Sequence, residues 1–529
     1  MSYTRVLVIG IDGANPDLLL RWSADGTMPN LAGLLKRGQW SKTRGLEGFF
    51  IGSTWPSIYT GTSPARHGFH YQVQLKPGTY DFHRPEDHGL VYGKTFWRAL
   101  SDAGRRVAIL DAPLSALDST LNGMQIVEWG GHDQIYGFRT HPAPLAESIR
   151  TRFGEHPVGT SCDAIRRSAD DYRAFVNTLV RGVNTKTEIT REFLREGGWD
   201  LFMQVFSETH CVGHQCWHLH DPTHPAHDAA ISTAIGGSIE RVYRSIDTAI
   251  GSLIEEAGDC MTFVFSSHGM SHWYGAQFLL REILFRLEVA HRPQPAERSR
   301  DLGSLALAGA ARVWHQLPGP IRTALGGLRQ RYGPEIAESS IQPTLGVDVA
   351  RSRCFPLSNG LALGGIRLNL VGREPQGNLT PGQEADDFCK ALTEDLMAII
   401  DDRTGEPVIR SVLRVSDLYQ GPRLADLPDL VVDYSDAVAT GSTIVGSGDG
   451  AAVRLHSPKI GIVEGTNTYG RTGEHRSQGL LLAAGPGIAP GSFAHPVSVL
   501  DLAPTWARAL GIELESANGT PIIGLPPAR

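Results

Sequence analysis

Short β-branched apolar runs alternate with longer amphipathic stretches along the first half of the chain. Residues 5–10, RVLVIG, form a near-continuous apolar run of strand length, the pattern of a buried parallel strand. Comparable runs at 106–110, 201–206 and 261–265 predict three further strands. Between them, helical periodicity predicts helices at 16–22, 30–36, 96–103, 169–196 and 229–256. Repeated strand–helix alternation predicts an α/β fold: a doubly wound, mostly parallel sheet with helices on both faces.

The pattern loosens at 292–342, where Pro, Gly, Arg and Ala dominate and no strand signal remains. This segment is expected to be an insertion, continued by a strand at 361–372 and a helix at 383–401. Strands at 430–433 and 479–484 are expected to return to the core, and a helix at 500–510 to close the chain. The expected organisation is therefore 1–285 as the first part of a catalytic core, 286–420 as an inserted cap and accessory region, and 421–529 as the closing part of the core.

Composition narrows the function classes. The 529 residues are 41% hydrophobic and 20% charged, ordinary for a globular protein, and the net charge of −7 gives no electrostatic footprint for a nucleic-acid polymer. Six cysteines include no Cys-x-x-Cys pair, which argues against a disulfide framework. With no apolar run of about 18 residues and no signal-like start, the expectation is a cytoplasmic protein with no membrane partner and a small-molecule substrate.

Chemistry concentrates at 207–228, SETHCVGHQCWHLHDPTHPAHD, which holds six of the twenty histidines. It begins where the 201–206 run stops, and in open α/β sheets ligands sit at the carboxyl ends of strands. His210 and His214 are four apart, so one helical turn places both imidazoles on one face, close enough to share a metal. The bland alternative is a solvated, histidine-rich loop. Cys211 and Cys216 flank His214 and read as soft ligands or, more simply, as packing residues. Asp12 follows the first strand, where an aspartate also serves as a helix cap. Glu208 reads as the supplier of a missing carboxylate ligand or, more simply, as a helix cap or a solvated charge. Glu474, beside His475, reads as a partner that orients its imidazole, although neighbours on a strand point apart.

Five separated pieces, VIGIDG, MPNLAGLLKRG with TGTSPARHG, the His210/His214 pair, SHGM and GEHRSQGLLLAAGPGI, together resemble the type I phosphodiesterase/nucleotide pyrophosphatase branch of the alkaline phosphatase superfamily. The resemblance runs from about residue 5 to 512. It implies two divalent metals at the carboxyl edge of the sheet, zinc in the first instance with manganese or iron as alternatives. One site falls on His210, His214 and His475. The other falls on Asp12, a hydroxyl nucleophile in the 51–54 region, Ser267 and His268. A sulfatase is disfavoured, since no Cys-x-Pro-x-Arg pattern occurs.

The departures from that family matter. His210 stands where the family has aspartate, and Ser267 where it has the aspartate before His268. A gap-free register puts Ile51 at the nucleophile position; a register with a three-residue deletion puts Thr54 there. The main expectation is a metal-dependent phosphoester hydrolase or phosphoryl transferase, acting on diesters, with Thr54 attacking phosphorus and His268 and Asp12 on the assisting metal. The second is a mononuclear three-histidine metalloenzyme without a covalent nucleophile. The third is a non-catalytic protein that binds a phosphorylated ligand.

Overall fold

The computed structural model describes residues 5–525 apart from 85–92, 133, 136, 294–344, 438 and 447–449. Most of the expected insertion at 292–342 therefore lies outside the described residues.

The central sheet is built from β1 (Val6–Ile11), β2 (Gln39–Arg44), β3 (Val107–Leu110), β4 (Gly123–Val127), β5 (Arg139–His141), β6 (Leu201–Phe206), β7 (Met261–Ser266) and β8 (Gly479–Ala484). Its order is β2-β8-β7-β1-β6-β3-β4-β5, with the short strand Gly491–Ser492 outside β2. The pairs β7-β1, β1-β6, β6-β3 and β3-β4 are parallel, while β8 enters antiparallel between β7 and β2. The mostly parallel α/β sheet anticipated from the sequence is therefore present. Every residue of β1, β6 and β7 is buried, because helices cover both faces. Alternate residues of β1 serve the two sides: Val6 and Val8 join one apolar cluster, Leu7, Ile9 and Ile11 the other.

Five helices matter for the site: α1 (Pro16–Ala24), α2 (Thr54–Thr60), α3 (Ala169–Glu196), α4 (Glu208–His220) and α5 (Ser238–Ala257). A capping box at Ser168 and Asp171 starts α3. The single helix expected at 229–256 is instead two, Ala229–Ile235 and α5. Gly236 and Gly237 break it, both at positive φ (57° and 63°), a conformation that costs glycine least.

A second sheet of four antiparallel strands runs Cys354–Ser358, Leu363–Leu368, Leu430–Tyr434 and Ile409–Arg414. The expectation that 430–433 rejoins the core is thus corrected. That strand pairs with its accessory-sheet neighbours, whose apolar faces Val431 and Val432 continue. No described helix is long and apolar enough to cross a membrane.

Candidate metal centre

Strand register brings the site together. Ile11 of β1 lies level with Phe206 of β6 and with Ser266 of β7, so Asp12, Ser207 and Ser267 leave the sheet side by side at its carboxyl edge. From there α4 carries His210 and His214 on one buried face, as their spacing predicts. His475 arrives from the far end of the chain on a two-stranded ribbon, Gly473–Arg476 against Gly269–His272, opposite Met270. The ribbon can approach α4 only because glycines face each other: a Cβ on Gly473 would sit 2.2 Å from the Gly213 carbonyl oxygen. That contact lets His214 Nδ1 donate to Gly473 O at 2.7 Å.

The result is a continuous group of imidazoles. His210 Nε2 and His475 Nε2 are 2.8 Å apart. Ring centroids of the sequence-predicted set lie at 4.4 Å (His210–His214), 4.9 Å (His210–His475) and 4.7 Å (His214–His475). His268 joins it, 4.4 Å from the His475 ring. Among the described residues, two all-histidine groups keep all three ligand atoms within 4.8 Å of one another: His210, His268 and His475, and His132, His210 and His214.

Charge and tautomer suit ligation. Burial, then neighbouring His132, His214, His475 and His268, hold His210 well below the ordinary histidine pKa. Burial, then Arg471 and the adjacent imidazoles, do the same for His214. Burial, then His475, lower His268 to about 4, against a smaller opposing pull from Asp12. Neutral imidazoles offer lone pairs. With its Nδ1 proton on Gly473 O, the arrangement that orients metal-binding histidines, His214 presents Nε2; Glu474 Oε1 lies 2.8 Å from His475 Nδ1 and accepts from the His475 backbone N–H at 2.7 Å. Glu474 turns back toward its neighbour although the two are adjacent on one strand. The Nδ1 of His210 is buried without a hydrogen-bond partner. Crowded, neutral imidazoles around an unsatisfied nitrogen are a donor set that a divalent cation fits.

Residues 6–311 match the family described as type I phosphodiesterase / nucleotide pyrophosphatase. The chain belongs to this family. Its members are phosphoester hydrolases of the alkaline phosphatase superfamily. Similar solved structures include phosphonoacetate hydrolase from Sinorhizobium meliloti 1021 in complex with phosphonoacetate, 13% identical, covering 96% of each chain at a TM-score of 0.49. Murine ectonucleotide pyrophosphatase / phosphodiesterase 5 is 10% identical, covering 98% of this chain and 97% of that one at a TM-score of 0.46. No curated protein matches the chain by sequence.

In this phosphodiesterase-family chain the region around Asp12 is built from hydrogen-bond donors. Asp12 Oδ1 accepts from Trp55 Nε1 and from Ser267 Oγ, each at 2.8 Å, and His268 Nε2 stands 3.6 Å away. Ser267 thus acts as a donor to the carboxylate where the resemblance implied a second metal-binding carboxylate. Thr54 is not brought to the histidines by any described contact. Its hydroxyl is fully buried and donates to Phe50 O, and that of Ser53 donates to Phe69 O, both at 2.8 Å. Ile51 packs against Gly360 of the accessory region. The residue of this helix that reaches Asp12 is Trp55.

Three features of the phosphodiesterase-family site escaped the sequence reading. His132 follows β4 in WGGHD, and its position at a strand's carboxyl end was the available signal. Arg471, held by Asp163 at 2.6 Å, extends to within 3.4 Å of His132 Nε2 and 3.5 Å of His214 Nε2. Glu208, expected as a cap or solvated charge, is instead 1% exposed, 3.3 Å from Lys186 and 3.1 Å from His156. Burial opposes charge on both Lys186 and Glu208. Mutual attraction, with Asp111 beside the lysine and His156 beside the glutamate, outweighs it and keeps both ionised. Lys186 also donates to Gly130 O, and Asp111 accepts from Gly130 N, both at 2.9 Å, so this buried set fixes the backbone two residues before His132.

Proposed function

We propose that this chain hydrolyses a small phosphate ester, a diester by preference, at a single divalent cation held by His210, His268 and His475. The observation that carries the reading is the convergence of these three buried rings, with His210 Nε2 2.8 Å from His475 Nε2. Zinc suits an all-imidazole set better than magnesium or calcium, which favour oxygen. When bound, such a cation polarises a phosphoryl oxygen and acidifies a water near neutral pH.

The chain's own groups divide the remaining work. His214 locks the ribbon that carries His475, and Glu474 accepts from the His475 backbone N–H on that ribbon. Arg471 places positive charge on the His132/His214 flank, where a phosphoryl group needs a partner. Asp12, saturated on Oδ1 by Trp55 and Ser267, shapes the floor and faces His268. No covalent nucleophile is assigned, since Thr54 and Ser53 both spend their protons on backbone carbonyls. The accessory sheet and the 292–342 insertion are the parts proposed to select the substrate. Six cysteines without disulfides support a reducing, cytoplasmic setting.

The test is metal-depleted protein, reloaded with zinc and assayed on p-nitrophenyl phosphate and bis(p-nitrophenyl) phosphate. Turnover should return with zinc, favour the diester, and be absent in His210→Ala. Failure to hydrolyse either ester with the histidines loaded would overturn the proposal.

A further inference from the structure

Beside the histidines, three segments far apart in sequence bring two thiols to one imidazole nitrogen. Cys162 lies in the loop after helix Leu145–Phe153, Cys211 in the first turn of α4, and His132 in the segment after β4. Cys162 Sγ is 3.1 Å and Cys211 Sγ 3.4 Å from His132 Nδ1. The cysteines are 2% and 5% exposed, and the three ligand atoms all lie within 4.8 Å of one another.

We propose that Cys162, Cys211 and His132 Nδ1 form a second metal site, separate from the phosphoesterase centre, for a thiophilic cation such as Zn²⁺.

Three physical points carry this. Zinc bonds of ~2.3 Å to sulfur and ~2.0 Å to nitrogen at tetrahedral angles place those atoms about 3.5 Å apart, close to the separations seen. Two thiolates and an imidazole are a recognised zinc donor combination, and the thiolates balance a divalent charge. A buried cysteine usually packs as a small hydrophobe, but that role does not require two thiols to meet the same ring nitrogen. Burial, then the adjacent Cys211, holds the Cys162 thiol well above its ordinary value, so it stays protonated without a cation. Coordination would displace that proton.

The site has a structural consequence for its neighbour. The opposite ring nitrogen of His132, Nε2, faces Arg471 at 3.4 Å, on the side of His210 and His214. A cation on Nδ1 would pin the segments that carry His132 and Cys162 to the first turn of α4, which carries His210. The thiol site would brace the hydrolytic one without contributing a ligand to it.

Cobalt(II) distinguishes the two sites by spectroscopy. Reduced, metal-depleted wild-type protein titrated with Co²⁺ should develop thiolate-to-cobalt charge-transfer absorption in the near ultraviolet. Cys162→Ser and Cys211→Ser should each weaken it strongly, leaving the visible bands of histidine-bound cobalt. His210→Ala should keep the charge-transfer band and lower the bound cobalt from two ions per chain to one. The proposal is overturned if wild type shows no charge-transfer band, a result that needs no variant to fold. It is equally overturned if the band survives both serine substitutions. Because the hydrolytic reading is scored by ester turnover and by the cobalt ion lost in His210→Ala, either site can fail while the other stands.

Discussion

Trp55 Nε1 donates to Asp12 Oδ1 at 2.8 Å, and both side chains are almost completely buried. An indole donor therefore occupies one of the directions from which a cation would approach this carboxylate, and Ser267 Oγ takes another. Trp55→Phe keeps the aromatic bulk beside Phe265 and removes only the donor. The expected cost is ~1–3 kcal/mol, since a buried charged acceptor loses a partner. Urea denaturation measures it; an unchanged midpoint would show that the bond contributes nothing.

Thr54 gives a sharper functional prediction. Thr54→Val removes a hydroxyl whose described hydrogen bond is to Phe50 O, so ester turnover should stay within a few-fold of wild type. Loss of a true covalent nucleophile would instead lower kcat by roughly 10⁴-fold or more. Steady-state kinetics on the zinc-loaded protein separates the two outcomes.

The place of Thr54 relative to the site is a matter of local geometry. The sequence places Thr54 at the start of a helix near the carboxyl edge, and the helix is there. Which of Ile51, Ser53, Thr54 or Trp55 faces Asp12 depends on the loop rotation set by Phe49, Phe50 and Gly360, which no spacing rule encodes. By contrast, β1, β6, β7 and α3 were legible because their apolar patterns answer to one dominant demand, burial against the sheet. His210 and His214 were legible through helical spacing. His132, Arg471 and the Lys186 set were not, because loop residues meet only through tertiary packing. The strand at Leu430–Tyr434 was legible as a strand, but apolar alternation does not say which sheet it joins.

The buried ion set under the site should govern stability. Lys186→Met leaves Glu208 and Asp111 without their cation in an interior where both are 3% exposed or less. Removing one member of a buried pair typically costs ~3–5 kcal/mol. The double variant Lys186→Met/Glu208→Gln should recover part of that loss, measured by thermal or urea unfolding. Additive effects of the two substitutions would contradict the coupling.

Acid should unfold the protein through its buried histidines. Burial lowers His67 and His70 to about 3 each, and His218 likewise to about 3, from 6.5. The unfolded chain takes up these protons below pH 6.5 while the folded chain refuses them. Their contribution is therefore complete above pH 6.5 and is lost as pH falls toward 3, by ~5 kcal/mol at most for one residue. His67 accepts from Phe69 N on Nδ1, so it carries its proton on Nε2 and donates it to Ser57 Oγ. His67→Gln should flatten the pH dependence of the urea midpoint between pH 7 and 5. A midpoint independent of pH across this range in wild type would contradict the account.

The central claim, one hydrolytic cation on His210, His268 and His475, is tested most directly by anomalous scattering from crystals grown with zinc. The account predicts a peak bonded to those three imidazoles and none on Asp12, whatever is found at Cys162 and Cys211. A peak coordinated by Asp12, or an empty position at His210 and His475, would contradict it.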